Sequence, residues 1–126
     1  MNDGLKTLPK ETLSFEVVGG SKKTAALIVA AGGSDRMNGV NKQFAELLGI
    51  PVLARTMLSL ENCPEISDIV VVAREEDIPE VQKLAIAYQI GKLRGIAAGG
   101  STRMRSVEKG VEACPKDAAY YAIHDG

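Results

Sequence analysis

The chain has 126 residues, 45% of them hydrophobic and 25% charged, with a formal net charge of -1. That is the balance of one globular domain with a modest core, and it argues against the basic field of a nucleic-acid binder. Aromatics are only 4% with no tryptophan, which argues against a base-stacking platform. No stretch is long and apolar enough to cross a bilayer, and Met1 to Val18 lack the apolar core of a secretion signal. Cys63 and Cys114 make no metal-type cluster and read as buried thiols in a reducing compartment, so the cytoplasm is the expected location, with neither nucleic acid nor membrane as partner.

In chain order, residues 1–23 read as an N-terminal extension in which Leu13, Phe15 and Val17 alternate with polar residues, as in a short edge strand. Gly19-Gly20-Ser21 is a turn signal. Ala25 to Ala31 is a continuous apolar run, the pattern of a strand covered on both faces. Gln43 to Leu48 is expected to form a short strand closed by Gly49, and Pro51 opens a helix with Leu53, Met57 and Leu60 on one face. Ile69 to Ala73 is a second buried strand. Glu75, Glu76, Asp77 and Pro79 mark a helix start, and Val81, Leu84, Ala85 and Tyr88 supply its apolar stripe. Leu93 to Ala98 is a third strand. Ser101 to Cys114 is a helix whose expected core stripe is Met104, Val107, Val111 and Cys114, with Arg103, Ser106 and Gly110 beside it. Ala119 to Ile123 is the last strand, followed by His124-Asp125-Gly126.

Strands alternating with helices imply a mainly parallel sheet with helices on both faces, and ligands of such sheets bind beyond the carboxyl ends of the strands. Three stretches fall at that edge: Gly32 to Lys42, Gly99 to Ser106, and His124-Asp125. Gly32 and Gly33 let a ligand approach the backbone, whose amides attract phosphate. Arg36 adds a planar permanent cation and Lys42 a mobile point charge, so the loop reads as a polyphosphate cradle. It is not the G-x-G-x-x-G loop of a nicotinamide enzyme, and Gly39 and Lys42 are too far apart for a Walker loop.

The strings AAGGSDRM and NKQF, then GGSTRMRSV, then HDG occur in that order. They resemble the nucleotide-binding signature of the 2-C-methyl-D-erythritol 4-phosphate cytidylyltransferases, A-A-G-x-G-x-R-M with P/N-K-Q, G-G-x-x-R-x-x-S-V, and H-D-x-A-R-P. Ser34 stands where that pattern has its second glycine, the Arg36–Lys42 segment is one residue shorter than the common pattern, and the chain stops before A-R-P. The resemblance implies a Rossmann-like nucleotidyltransferase fold of the nucleotide-diphospho-sugar transferase type over residues 24–126, incomplete at the C-terminus. It implies transfer of CMP from CTP to a sugar-alcohol phosphate in isoprenoid precursor synthesis, releasing pyrophosphate, with a ribitol 5-phosphate enzyme or a non-catalytic CTP and magnesium binder as alternatives.

The resemblance assigns Arg36 and Lys42 to catalysis on the triphosphate. It assigns Ala30, Ala31, Gly32, Gly33, Gly99, Gly100, Arg103 and Ser106 to the nucleotide, and Asp125 to Mg2+. His124 is expected to help hold the strand end. In the family the remaining half supplies much of the alcohol-phosphate pocket, a further lysine and a dimer arm, which implies a homodimer for the intact protein. A cation at a helix N-terminus is disfavoured by the helix dipole, so Arg103 calls for a nucleotide or an acidic side chain nearby.

Overall fold

The computed structural model describes residues 23–32, 36–37 and 40–125, with backbone alone at 36, 37, 40 and 41. The expected edge strand around Leu13, Phe15 and Val17 and the turn at Gly19-Gly20-Ser21 lie outside the described residues, as do Gly33, Ser34 and Gly126.

The first apolar run forms strand β1 (Lys23–Ala30). After it, β2 (Arg36–Met37) and β3 (Val40–Asn41) pair antiparallel. A single 3-10 turn at Lys42–Phe44 then leads into the small hairpin of β4 (Glu46–Leu47) and β5 (Ile50–Pro51). Helix α1 (Val52–Glu61), strand β6 (Asp68–Ala73), helix α2 (Ile78–Ala87), strand β7 (Leu93–Ala98), helix α3 (Arg103–Ala113) and strand β8 (Ala118–Asp125) complete the order. The main sheet is four-stranded in the order β7-β6-β1-β8, and every pairing in it is parallel.

Alternation along β1 decides which side chain meets which layer. Ala26, Ile28 and Ala30 join Leu53, Met57, Leu60, Val81 and Leu84 in the layer beneath α1 and α2. Ala25, Leu27 and Val29 join Val70, Val72 and Cys114 in the opposite layer, where Val107 and Val111 of α3 pack. With both faces covered, β1 and β6 have no polar alternation to show, which is why they read as unbroken apolar runs.

The structure departs from the sequence expectations in four places. The segment Gln43 to Leu48 is not one strand: Leu48 and Gly49, both at positive φ (56° and 82°), fold the chain back so that Leu47 pairs with Ile50. Two residues of left-handed backbone suit a tight hairpin turn, and the turn outweighs the strand tendency of so short a run. The last strand continues through His124 and Asp125 instead of stopping at Ile123. Cys63 is half-buried, and its thiol donates to Glu65 Oε1 at 3.3 Å, whereas Cys114 is buried as expected; both are free thiols. Finally, Met104 is not core.

Met104 is 72% exposed, while Ser106 and Gly110 are buried. The inward face of α3 is therefore rotated toward the small residues. A Cβ on Gly110 would collide with Leu27 Cδ1 and lie 2.7 Å from Val72 Cγ2. Glycine lets α3 seat close on β1 and β6, and close seating turns Met104, two residues before Ser106, out to solvent.

Candidate active site at the carboxyl edge

Strand order makes the site. From β1 the chain steps outward to β6 and β7, then crosses back over to β8 on the other side of β1. The order reverses between β1 and β8, and in open α/β sheets ligands usually lie beyond the strand ends at such a point.

The end of β1 supplies the first wall. Ala30 is buried in the α1–α2 layer, so a ligand meets it through the backbone; Ala31 is half-buried and Gly32 exposed. Arg74, the first residue after β6, donates from Nη2 to the Gly32 carbonyl oxygen at 2.7 Å. Its guanidinium lies 3.9 Å from Glu76 Oε2, and its side chain is only 17% exposed. Sequence reasoning missed Arg74, though a cation directly following a buried strand at this edge is a signal that was there to find.

Beyond this wall, the β2–β3 ladder sets the Arg36 backbone opposite Asn41, one residue from Lys42, so chain pairing brings the two expected catalytic positions together. Lys42 is exposed at the start of its 3-10 turn, and Gln43 beside it is buried. The Arg36 side chain and Gly33 lie outside the described residues.

The end of β7 supplies the second wall. The Gly99 amide donates to Ala73 O at 2.8 Å, which carries the strand pairing into the loop. A Cβ on Gly99 would collide with Ala31 Cβ and stand 3.0 Å from Ser106 Oγ, so the two glycine loops touch through a position only glycine fills. Ser106 is buried, and its Oγ accepts from the Gly100 amide at 3.1 Å. It braces the loop from beneath. Thr102 caps α3, its Oγ1 accepting from the Arg105 amide at 3.1 Å.

Arg103 begins α3, and its guanidinium forks onto Asp125 at the end of β8: Nε donates to Oδ1 at 3.1 Å and Nη2 to Oδ2 at 3.0 Å. Asp125 is the acidic partner that the N-terminal cation calls for, and its carboxylate holds the Arg103 guanidinium above its ordinary pKa through the hydrogen bond and then the charge. Both side chains face water, at 60% and 65% exposure.

Asp125 is a single exposed carboxylate whose two oxygens both accept from Arg103, and a magnesium ion carried largely by substrate phosphates is of the kind that needs only one or two protein carboxylates. Among the described residues there is no group of three or more His, Cys, Asp or Glu side chains that could hold a metal by itself.

His124, the neighbour of Asp125, points to the other layer. It lines a cavity of about 220 Å³ with Arg55, Thr56, Ser59 and Leu60 of α1. Its Nδ1 is buried with no hydrogen-bond partner among the described residues. Arg55 is engaged by the hairpin, donating from Nε and Nη2 to Leu47 O at 3.2 and 2.7 Å. This cavity lies on the α1 side of β8, away from the Arg103–Asp125 fork. No helix among the described residues is long and apolar enough to cross a membrane.

Known proteins share both the sequence and the fold. The family model described as 2-C-methyl-D-erythritol 4-phosphate cytidylyltransferase matches residues 24–126. The enzyme of that name from Dehalococcoides mccartyi strain 195 is 42% identical over 106 residues, covering 84% of this chain and 46% of its own. That from Halalkalibacterium halodurans is 44% identical over 103 residues, covering 81% and 45%. A crystal structure of 4-diphosphocytidyl-2C-methyl-D-erythritol synthase from Anaerococcus prevotii superposes with a TM-score of 0.70 at 29% identity, covering 82% of this chain and 43% of the other. The chain thus spans about half the length of the relatives it matches. With the glycine loops, the Arg103–Asp125 fork and a match over 24–126, the chain belongs to the 2-C-methyl-D-erythritol 4-phosphate cytidylyltransferase family.

Proposed function

We propose that this chain carries the nucleotide-binding part of a cytidylyltransferase. Its reaction transfers CMP from CTP to 2-C-methyl-D-erythritol 4-phosphate and releases pyrophosphate, a step of isoprenoid precursor synthesis in the cytoplasm. The observation that supports this most is the meeting, at the strand-order reversal, of the Ala31–Gly32 loop, the Gly99–Gly100 loop and the Arg103–Asp125 fork.

The attacking group is a phosphate monoester oxygen, whose second pKa is near ~6, so it is largely ionised at neutral pH without a strong general base. What the reaction needs is the approach of one anion to another and stabilisation of charge on the leaving pyrophosphate. Exposed backbone at Gly32 receives the triphosphate, and Arg36 and Lys42 supply the positive charge on it. The Gly99–Gly100 loop, stiffened by Ser106, offers backbone groups to the cytosine, whose N4 donates and whose O2 accepts. Arg103 and Asp125 line the far wall. Asp125 would hold a magnesium ion brought with the triphosphate, which supplies neutralisation of the phosphate charge. Loss of Arg36 or Lys42 is expected to cost at least ~2–4 kcal/mol of transition-state stabilisation, as for other positioned charge stabilisers.

Calorimetric titration of the chain with CTP and magnesium tests the reading. Binding that Arg36→Ala weakens at least tenfold is expected, and no binding by the unmodified chain overturns it. Product analysis with the intact protein, the two alcohol phosphates offered separately, tests the substrate. CDP-methylerythritol is expected, and formation of CDP-ribitol alone overturns that assignment.

A further inference from the structure

We propose that Arg74 is a positioning residue for the polyphosphate: by holding the Gly32 carbonyl on the β6 side, it keeps that oxygen turned away from the anion that meets the end of β1. The inference rests on the cytidylyltransferase reading above and adds to it a residue that none of the family motifs contains.

Three observations carry it. Arg74 stands where a cation is least expected to be buried, at the first position after the core strand β6, yet water reaches only 17% of its side chain. Its guanidinium is spent on one short charge-assisted bond to a backbone oxygen, Nη2 to Gly32 O at 2.7 Å, across a sequence separation of 42 residues. Glu76, 3.9 Å from Nη1, counters the charge without competing for the same nitrogen. A hydrogen bond with an ionised donor is roughly twice as strong as a neutral one, and an Arg fork is directional.

Its target matters more than its strength. Gly32 has no side chain to fix its own backbone, and it is exposed just beyond the end of β1. A carbonyl oxygen turned toward a triphosphate repels it, whereas a peptide amide turned toward it binds. Arg74 draws the Gly32 carbonyl toward the end of β6, on the side of β1 opposite β8, so that oxygen is already held when the anion arrives. A carbonyl held in advance lowers the ordering cost of binding, and that gain falls on the phosphates, not on the base.

The experiment compares CTP with CMP, which keeps the base, ribose and α phosphate but lacks the β and γ phosphates. The chain and its Arg74→Met and Arg74→Lys variants are titrated calorimetrically with each nucleotide in the presence of magnesium, and their thermal midpoints are recorded. Arg74→Met is expected to weaken CTP about tenfold while CMP changes by less than twofold, and Arg74→Lys to recover part of the CTP loss. Equal CTP affinity in Arg74→Met, or equal loss of CTP and CMP, overturns the proposal. Should Arg74→Met lower the thermal midpoint by more than a few degrees, Arg74→Lys is read alone: a selective CTP loss supports the proposal and unchanged CTP affinity overturns it. Failure of the unmodified chain to bind CTP overturns the cytidylyltransferase reading itself, and the role of Arg74 with it.

Discussion

Arg94–Asp68 at the amino end of the sheet and Arg103–Asp125 at the carboxyl end join the same residue types at similar distances, 2.6 and 3.0 Å. Their surroundings differ. The Asp68 side chain is only 6% exposed, and its two oxygens have separate partners, Arg94 Nε at 2.6 Å and Ser67 Oγ at 3.0 Å. Asp125 is 65% exposed, and both of its oxygens depend on a single guanidinium. A buried carboxylate cannot exchange a lost partner for water, whereas an exposed one can. One pair therefore holds the fold, and the other can give up its partner to water at little cost.

The sharpest way to break that contrast is to remove the cation at each end. Arg94→Ala leaves Asp68 charged and nearly closed off, with one oxygen unpaired. Because Arg94 is itself half-exposed, some water reaches the gap, and the expected loss is about 2–3 kcal/mol, below the full cost of breaking a buried pair. Urea unfolding measures it. If Arg94→Ala leaves the midpoint where it was, burial is not what separates the two pairs.

Helix α3 joins the two ends, from Arg103 at the carboxyl edge to the neighbourhood of Cys114 and Asp68 at the other. Its seat is Gly110. Gly110→Ala drives a methyl into Leu27 and Val72; overpacking of this kind costs about 1–3 kcal/mol, and alanine's better helix propensity returns up to about 1. A net loss of about 1–2 kcal/mol in urea is expected. A gain in stability would mean that α3 does not ride as close to β1 as described.

The same glycine explains what could be read from the sequence and what could not. Buried parallel strands announce themselves as apolar runs, so β1, β6 and β7, the helices between them and the faces Leu53–Met57–Leu60 and Val81–Leu84 were legible. The inward face of α3 was not, because a hydrophobic stripe places the largest apolar residues inside, and here a close approach selects the smallest, leaving Met104 out. The hairpin at Leu48–Gly49 was hidden because a leucine at positive φ carries no turn signal. At the site, the strand-and-loop pattern was enough to put Gly32, Gly99, Arg103 and Asp125 at the carboxyl edge of the sheet, where the structure has them, but pairings across the chain were invisible. Nothing in a linear pattern says that Arg74 reaches Gly32, that Ser106 holds Gly100, or that Arg103 answers its own unfavourable helix position with Asp125.

Cys114 extends the comparison to pH. Burial, and after it the nearby charge of Asp68, raise its thiol from about 9 to about 11. The unfolded chain thus loses this proton from about pH 9 while the folded chain keeps it to about pH 11, so stability falls with rising pH across that window. Cys114→Ala is expected to flatten this alkaline limb of the urea midpoint against pH. Thiol labelling gives a second reading: in native buffer the half-buried Cys63 reacts first, and Cys114 only on unfolding. Equal labelling rates would place the core beneath the end of α3 in contact with solvent.

The smallest effect on stability is expected at the carboxyl edge, and that smallness is the point. Arg103→Ala or Asp125→Asn removes a fork between two exposed groups, where side-chain entropy and screening cancel most of the attraction. The urea midpoint should not move beyond experimental scatter in either variant. What should move is ligand response. If the Asp125 carboxylate exchanges the guanidinium for a magnesium ion carried by CTP, then the chain binds CTP more tightly with magnesium than with chelator. Asp125→Asn should erase that difference while leaving metal-free binding nearly unchanged. A fall in the urea midpoint as large as that of Arg94→Ala would make both pairs structural. The carboxyl end of the sheet would then be tied into the fold as firmly as the amino end, with no carboxylate left to offer a nucleotide.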